Sequence, residues 1–289
     1  MTGVTCETVV TLSEPVVSHG EPEPEYYKYI AAIRKWEPAD LKTEIYVTGE
    51  SLHDAYISAI CFGMTKERAP RLLFPTLKEW STMLLSNVEE PASPNAVQTL
   101  SDKFGGRVLR RLAGRTYATI STGLVGLVPA ATQLGESIPS IRFEPDSDPP
   151  PGDLITALLG CNTPIVLREM SDNQFQVIGS CYIHGLMEGE SLLGQLPEPW
   201  KAQIHVDSNE IRKPYYVNTI TGESTDESRW LGPLSSEWER VPAVRAPEDP
   251  ILFTRFRNKD TGELVNWDPR LLPEALEARG VKLRKFELI

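Results

Sequence analysis

The sequence predicts an α+β fold, with N-terminal helices packed on a curved antiparallel β-sheet or small β-barrel. Three observations predict it. Capped segments with apolar residues at helical spacing fill residues 25–106, β-branched runs broken by glycine take over from 107, and a turn motif recurs between Asn218 and Asn258. The chain has 289 residues, 40% hydrophobic and 24% charged, enough for a sizeable core. The apolar stripes of its helices need covering, so residues 25–289 are expected to form one domain.

Residues 1–24 end in SHGEPEPE, polar and proline-punctuated, and read as a flexible lead-in. In EYYKYIAAIRKW, Tyr26, Tyr29, Ile30 and Ile33 fall on one helical face. SLHDAYISAICFG begins with Ser51 three positions before Asp54, a capping pattern, and stops at Gly63. PTLKEWSTMLL repeats the device with Thr76 and Glu79, and Leu77, Trp80 and Leu84 form its stripe.

From Arg107 the run RVLRRLAGRTYATISTGLVGLVP reads as short strands and turns. The acidic, proline-rich SIRFEPDSDPPPGD reads as an exposed loop. LITALLG, PIVLRE and QFQVIGSCYIHG follow as an antiparallel meander. YYVNTITGESTDESRWL and RFRNKDTGELVNWDPRL then share Asn, Thr-Gly-Glu and Leu, each a hairpin whose glycine takes the left-handed turn position. LPEALEARG closes the pattern as a short helix over 273–280, with Pro273 at its start and Gly280 past its end.

Composition excludes several function classes. Forty acids against 29 bases leave a net charge of −11, which speaks against a nucleic-acid or anionic-membrane partner. No run reaches the roughly 18 apolar residues of a membrane span, and no basic-then-apolar leader opens the chain, so a cytoplasmic protein is expected. The four cysteines (Cys6, Cys61, Cys161, Cys181) show no CxxC spacing, and the four histidines (His19, His53, His184, His205) show no ligand spacing. No metal site is expected. Phosphate-loop, dinucleotide and serine-elbow motifs are missing, so no cofactor is expected.

TYATISTGLVGLVPAATQLGE, GDLITALLGCNTPIVLRE and FQVIGSCYIHGLMEGE together resemble the C-terminal region of fungal heterokaryon-incompatibility (HET) proteins. That region reads T-x-x-G-x-x-G-x-x-P, then GD with G-C-x-x-P-x-x-L-R, then Y-x-H-G-x-M-x-G-E. NWDPRL and LEARGVKL are similar to its tail. Nothing in the chain resembles the Y-x-x-L-S-Y-x-W-G motif of the family's N-terminal effector, so the resemblance does not carry over a cell-death role. The stretch between Gln133 and Gly152 is longer than the family's connection. A separate likeness, of LPEPW with the first hairpin to a proline-binding WW module, is faint because its aromatic spacing is too long.

The GSCYIHGLMEGE segment holds the chemistry-bearing candidates. If the strand runs through residue 184, Tyr182 and His184 share a face, and an imidazole near a carboxylate is a competent general base. The alternative is a strand end tied by a backbone hydrogen bond, with Gly185 and Gly189 shaping a turn. Glu188 with Glu190 could be an acid–base pair or a solvated edge. Arg168 could clamp an anion or pair with Asp153 across neighbouring strands. Catalytic candidates are therefore His184, Tyr182, Glu188 and Arg168. Cys181, Met187, Trp80 and Trp200 are the side chains that either line an apolar pocket or fill core.

Two functions follow as expectations. One is a stand-alone fungal secondary-metabolism enzyme that cyclises or isomerises an apolar terpenoid or polyketide without a cofactor, a pericyclic step included. The other is a non-enzymatic module, derived from an incompatibility protein, that senses a ligand or partner. An enclosed apolar cavity favours the first, an exposed apolar patch the second.

Overall fold

Thr2–Leu12, dense in threonine and valine, forms strand β1, an interior strand of the largest sheet. The expected lead-in is thus overturned over residues 2–12, and its part over residues 17–24 lies outside the described residues: β-branched residues find ladder partners on both sides, and the polar character of the following stretch says nothing about them. The structure is a computed structural model that describes residues 1–16, 26–70, 72–85, 105–134, 152–171, 173–194, 196–206, 212–225, 232–241 and 255–289. Residues 140–151 of the acidic, proline-rich loop lie outside the described residues.

The chain divides into two compact units where one domain was expected. The first comprises Met1–Glu67, Leu72–Met187 and Arg284–Ile289; the second comprises Arg68–Arg71 and Glu188–Leu283. Apolar stripes show that a helix needs a partner, but not that all elements share one core.

In the first unit, β1 is joined by β2 (Arg115–Ile120), β3 (Val125–Pro129), β4 (Leu154–Leu158), β5 (Ile165–Ser171), β6 (Gln174–Ser180) and β7 (Tyr182–Ile183). With the C-terminal strands 284–285 and 287–288 they make nine strands in one open sheet, not a closed barrel. Residues 3–8 of β1 pair with β4 and residues 9–12 with β2, with register shifts at Thr5/Glu7 and Val9/Thr11. Such irregularities bend a strand, so β1 serves both halves of the sheet. The meander β4–β5–β6 is antiparallel as expected, but Leu288 of the last strand runs parallel to Phe175 of β6.

Helices α1 (Tyr26–Lys35), α2 (Leu52–Ile60), α3 (Leu77–Leu85) and α4 (Gly105–Leu112) build the adjoining core. Ile33, Tyr56, Ile60, Trp80, Leu84, Leu109 and Leu112 cluster there with Tyr117, Val125 and Leu127 of the sheet. The Ser51 hydroxyl caps α2 by accepting from Asp54 N at 3.0 Å. Glu79 and Thr76 close the α3 box reciprocally, at 2.7 and 3.2 Å. Helix α4 overturns the strand reading of RVLRR. Val108, Leu109 and Leu112 sit one and four residues apart and are all buried, a helical face that short β-branched windows disguise.

The second unit carries two three-stranded antiparallel sheets. One is β8 (Trp200–Val206), β9 (Arg212–Asn218) and β10 (Ser224–Thr225). The other is β11 (Trp238–Val241), β12 (Arg255–Asn258) and β13 (Leu264–Val265). Their turns are the same device built twice. Asn218 Oδ1 accepts from Ile220 N and Thr221 N, and Asn258 Oδ1 from Asp260 N and Thr261 N, all at 3.0 Å. Gly222 and Gly262 sit at φ 73° and 72°, where a Cβ is strained. A tryptophan faces each asparagine across the ladder, Trp200 opposite Asn218 and Trp238 opposite Asn258. A short helix, α5 (Glu190–Leu193), precedes these sheets, and α6 (Pro273–Ala278) follows them as predicted.

Candidate functional site

Strand β7 reaches the sheet only because its neighbour is glycine. A Cβ on Gly126 would lie 2.0 Å from the Tyr182 carbonyl oxygen, so only glycine lets β7 pair with β3 at this register. His184 N then donates to Val125 O at 2.8 Å, and Gly185, at φ 94°, turns the chain away.

A short hairpin in the first unit approaches this strand end. Tyr46 N donates to Glu50 O at 2.7 Å and Gly49 N to Tyr46 O at 2.8 Å, with Gly49 at φ 95°. That closes the five-residue turn YVTGE ahead of the Ser51 cap. The Tyr46 phenol donates to His184 O at 2.9 Å and accepts from Val125 N at 2.7 Å. Burial pushes this phenol far above its usual range, so it remains protonated and can donate.

The imidazole of His184 is held from both sides. Its Nε2 lies 2.8 Å from Glu50 Oε1, and its Nδ1 lies 3.4 Å from the Tyr182 hydroxyl. The Glu50 carboxylate also accepts from Thr48 Oγ1 at 2.8 Å. A carboxylate only accepts, so the neutral ring carries its proton on Nε2 and turns the Nδ1 lone pair toward Tyr182. The result is a phenol–imidazole–carboxylate series. A proton leaving Tyr182 can reach Nδ1, and Glu50 stabilises the imidazolium so formed. The side chains of His184 and Glu50 are 20% and 35% exposed, so solvent reaches this end of the series. Tyr182 is buried, its ring edge-on to Phe62 at 6.2 Å.

Of the sequence candidates, the structure brings Tyr182 and His184 together. Arg168 is engaged elsewhere. Its Nε and one terminal nitrogen grip both oxygens of the buried Asp153 at 2.9 Å, and it donates to Ala131 O at 2.7 Å. Asp153 also accepts from Gln133 N at 2.8 Å, so this fork pins the loop after β3 to the meander. Cys181 is buried among Val9, Ile155, Val166 and Ile183, with its thiol on Pro164 O at 3.4 Å. Burial pushes that thiol well above its usual range, away from thiolate chemistry. Trp80 is wholly buried, donating from Nε1 to Met64 O at 2.7 Å. Met187 packs against the same helical core.

Glu188 and Trp200 belong to the second unit. Glu188 accepts from Arg68 Nε at 2.5 Å, and half-buried Trp200 opens β8. Among the described residues, no three His, Cys, Asp or Glu side chains gather to hold a metal ion.

The sequence does not single out Tyr46, Thr48 and Glu50. YVTGE is legible as a turn, but nothing local ties Glu50 to a histidine 134 residues later. Away from this cluster, a concavity lies along α3. This open groove of about 530 Å³ is lined by Leu73, Phe74, Pro75, Lys78, Thr82 and Met83. The chain matches no protein-family model, no curated protein and no solved structure.

Proposed function

We propose that the chain catalyses a cofactor-independent isomerisation or cyclisation of an apolar small molecule, of the terpenoid or polyketide class, by moving a proton at Tyr182. The observation that carries this reading is the series Tyr182–His184–Glu50. It supplies an acid or base, a relay and an orienting carboxylate within one side-chain cluster. Tyr182 gives or takes the proton at its phenol oxygen, His184 Nδ1 holds it in the alternate state, and Glu50 fixes the tautomer. Phe62, Leu124 and Met187 belong to the apolar core around Tyr182, which favours a substrate without charges. The resemblance to HET C-terminal regions, whose Y-x-H element is Tyr182 and His184 here, points to the same two residues.

The test is turnover. Purified protein is incubated with metabolite extracts and products are followed by mass spectrometry for isomers of unchanged mass. Tyr182→Phe and His184→Ala are each expected to slow product formation by about 100-fold, the usual worth of a positioned acid or base. Equal rates in all three proteins remove the relay from the mechanism.

One observation favours the alternative, a partner-sensing module without catalysis. The α3 groove is open, and Leu73 at its edge is 87% exposed, the form of an apolar contact surface. A chain with no turnover whose Leu73→Ser variant loses association with a host protein would establish that reading in place of the first.

A further inference from the structure

The last two acids of the HGLMEGE segment play no part in the proton relay. They lie in the second unit and form a cluster of their own. Gly189, at φ 91°, turns the chain so that residues 188 and 190 face each other, and Glu190 Oε2 accepts from Glu188 N at 2.8 Å. Glu188 Oε1 lies 2.5 Å from Arg68 Nε, with the two side chains only 14% and 22% exposed. The guanidinium is thus committed to Glu188, while the Glu190 carboxyl is held against the Glu188 amide.

The turn is completed by Leu193 N on Gly189 O at 2.9 Å and Gly194 N on Glu190 O at 2.7 Å. Among the described residues, the charged groups facing Glu190 are Glu188, from the same turn, and through it Arg68, from the segment 68–71. Ser191, Leu192 and Leu193 of its own helix carry no charge.

We infer that the Glu188–Gly194 turn is a pH-sensitive switch. The two carboxyl groups retain one proton between them, and its loss as the pH rises toward neutrality sets a second negative charge beside the Glu188 carboxylate and loosens the turn. Adjacent shielded carboxylates cannot both ionise at ordinary cost, so one keeps its proton. In keeping with this geometry, burial first and the Glu188 charge second push the Glu190 carboxyl up to about 7.

The sign follows from linkage. The closed turn holds a proton that the opened turn releases at an ordinary carboxylate value, so closure is favoured most below about 4.5. That advantage is lost as the pH rises to about 7.

The test uses the full chain, labelled for NMR. The Glu190 carboxyl carbon is expected to titrate near 7, against an ordinary 4.5. Protection of the Leu193 and Gly194 amides from exchange should fall at least about tenfold between roughly pH 5 and 7, then level off. Glu190→Gln, neutral at every pH, should hold that protection constant. Glu188→Gln should lower the Glu190 midpoint by about one pH unit or more. A wild-type midpoint below about 5.5, or the same loss of protection in Glu190→Gln, overturns the switch. Should either variant fail to fold, the wild-type titration alone decides.

Discussion

At Tyr46 a single oxygen does the work of a clamp, binding His184 O and Val125 N from a hairpin far away in sequence. Tyr46→Phe strands a buried amide and a buried carbonyl and is expected to cost about 1–3 kcal/mol of stability by urea denaturation, with secondary structure unchanged. Loss below about 0.3 kcal/mol would mean that backbone shifts or water replace the phenol. Glu50 acts on the proton itself. Glu50→Gln keeps a hydrogen-bonding group but removes the charge opposite the imidazole, so turnover should fall by about tenfold or more with stability unchanged. Unchanged turnover would show that the Glu50 charge plays no part in the relay. The sequence offered Tyr182 and His184 as a pair on condition that the strand ran through residue 184; β7 ends at Ile183 and a backbone bond ties His184 to Val125, yet the ring still meets the Tyr182 hydroxyl. The sequence could not show Glu50, because that pairing crosses the fold and depends on Gly126 and Gly185 admitting strand and hairpin to the same place.

At the scale of elements, what was legible was what is written within a few residues. The caps at Ser51 and Thr76 and the paired Asn–Thr–Gly–Glu turns depend on side chains bonding their own neighbouring backbone, and the helix from Pro273 on a proline at its start and a left-handed glycine past its end; all stand as read. Ser51→Ala should lower stability by about 1 kcal/mol, the typical worth of a cap, while Ser51→Asp should not. Gly262→Ala forces a Cβ onto φ 72° and should cost about 1 kcal/mol, with Gly222→Ala matching it if the two turns are one device. A large difference between them, read by thermal unfolding, would break that equivalence. Local character misleads at RVLRR, which reads as strand until burial of Val108, Leu109 and Leu112 picks the helical face.

Across the whole molecule, long-range partners decide which residues are structural. Trp80→Ala should cost about 3–5 kcal/mol, since it empties a wholly buried site in the helical core. Arg168→Ala is expected to cost a similar 3–5 kcal/mol by leaving the Asp153 carboxylate buried and unpaired, with Arg168→Met plus Asp153→Leu recovering part of it. If Arg168→Ala is neutral in unfolding yet abolishes turnover, the guanidinium serves the substrate and the fork is incidental. By itself the sequence determined helices α1, α2, α3 and α6, the caps at Ser51 and Thr76, the twin hairpins and the meander, because backbone preference and side-chain period act over a few residues. Tertiary structure alone decided that β1 lies inside the sheet, that the chain makes two units, that Arg168 belongs to Asp153, and that Glu50 meets His184. Those outcomes compare the burial and hydrogen bonding of distant segments against every competing partner, and no local window contains that comparison.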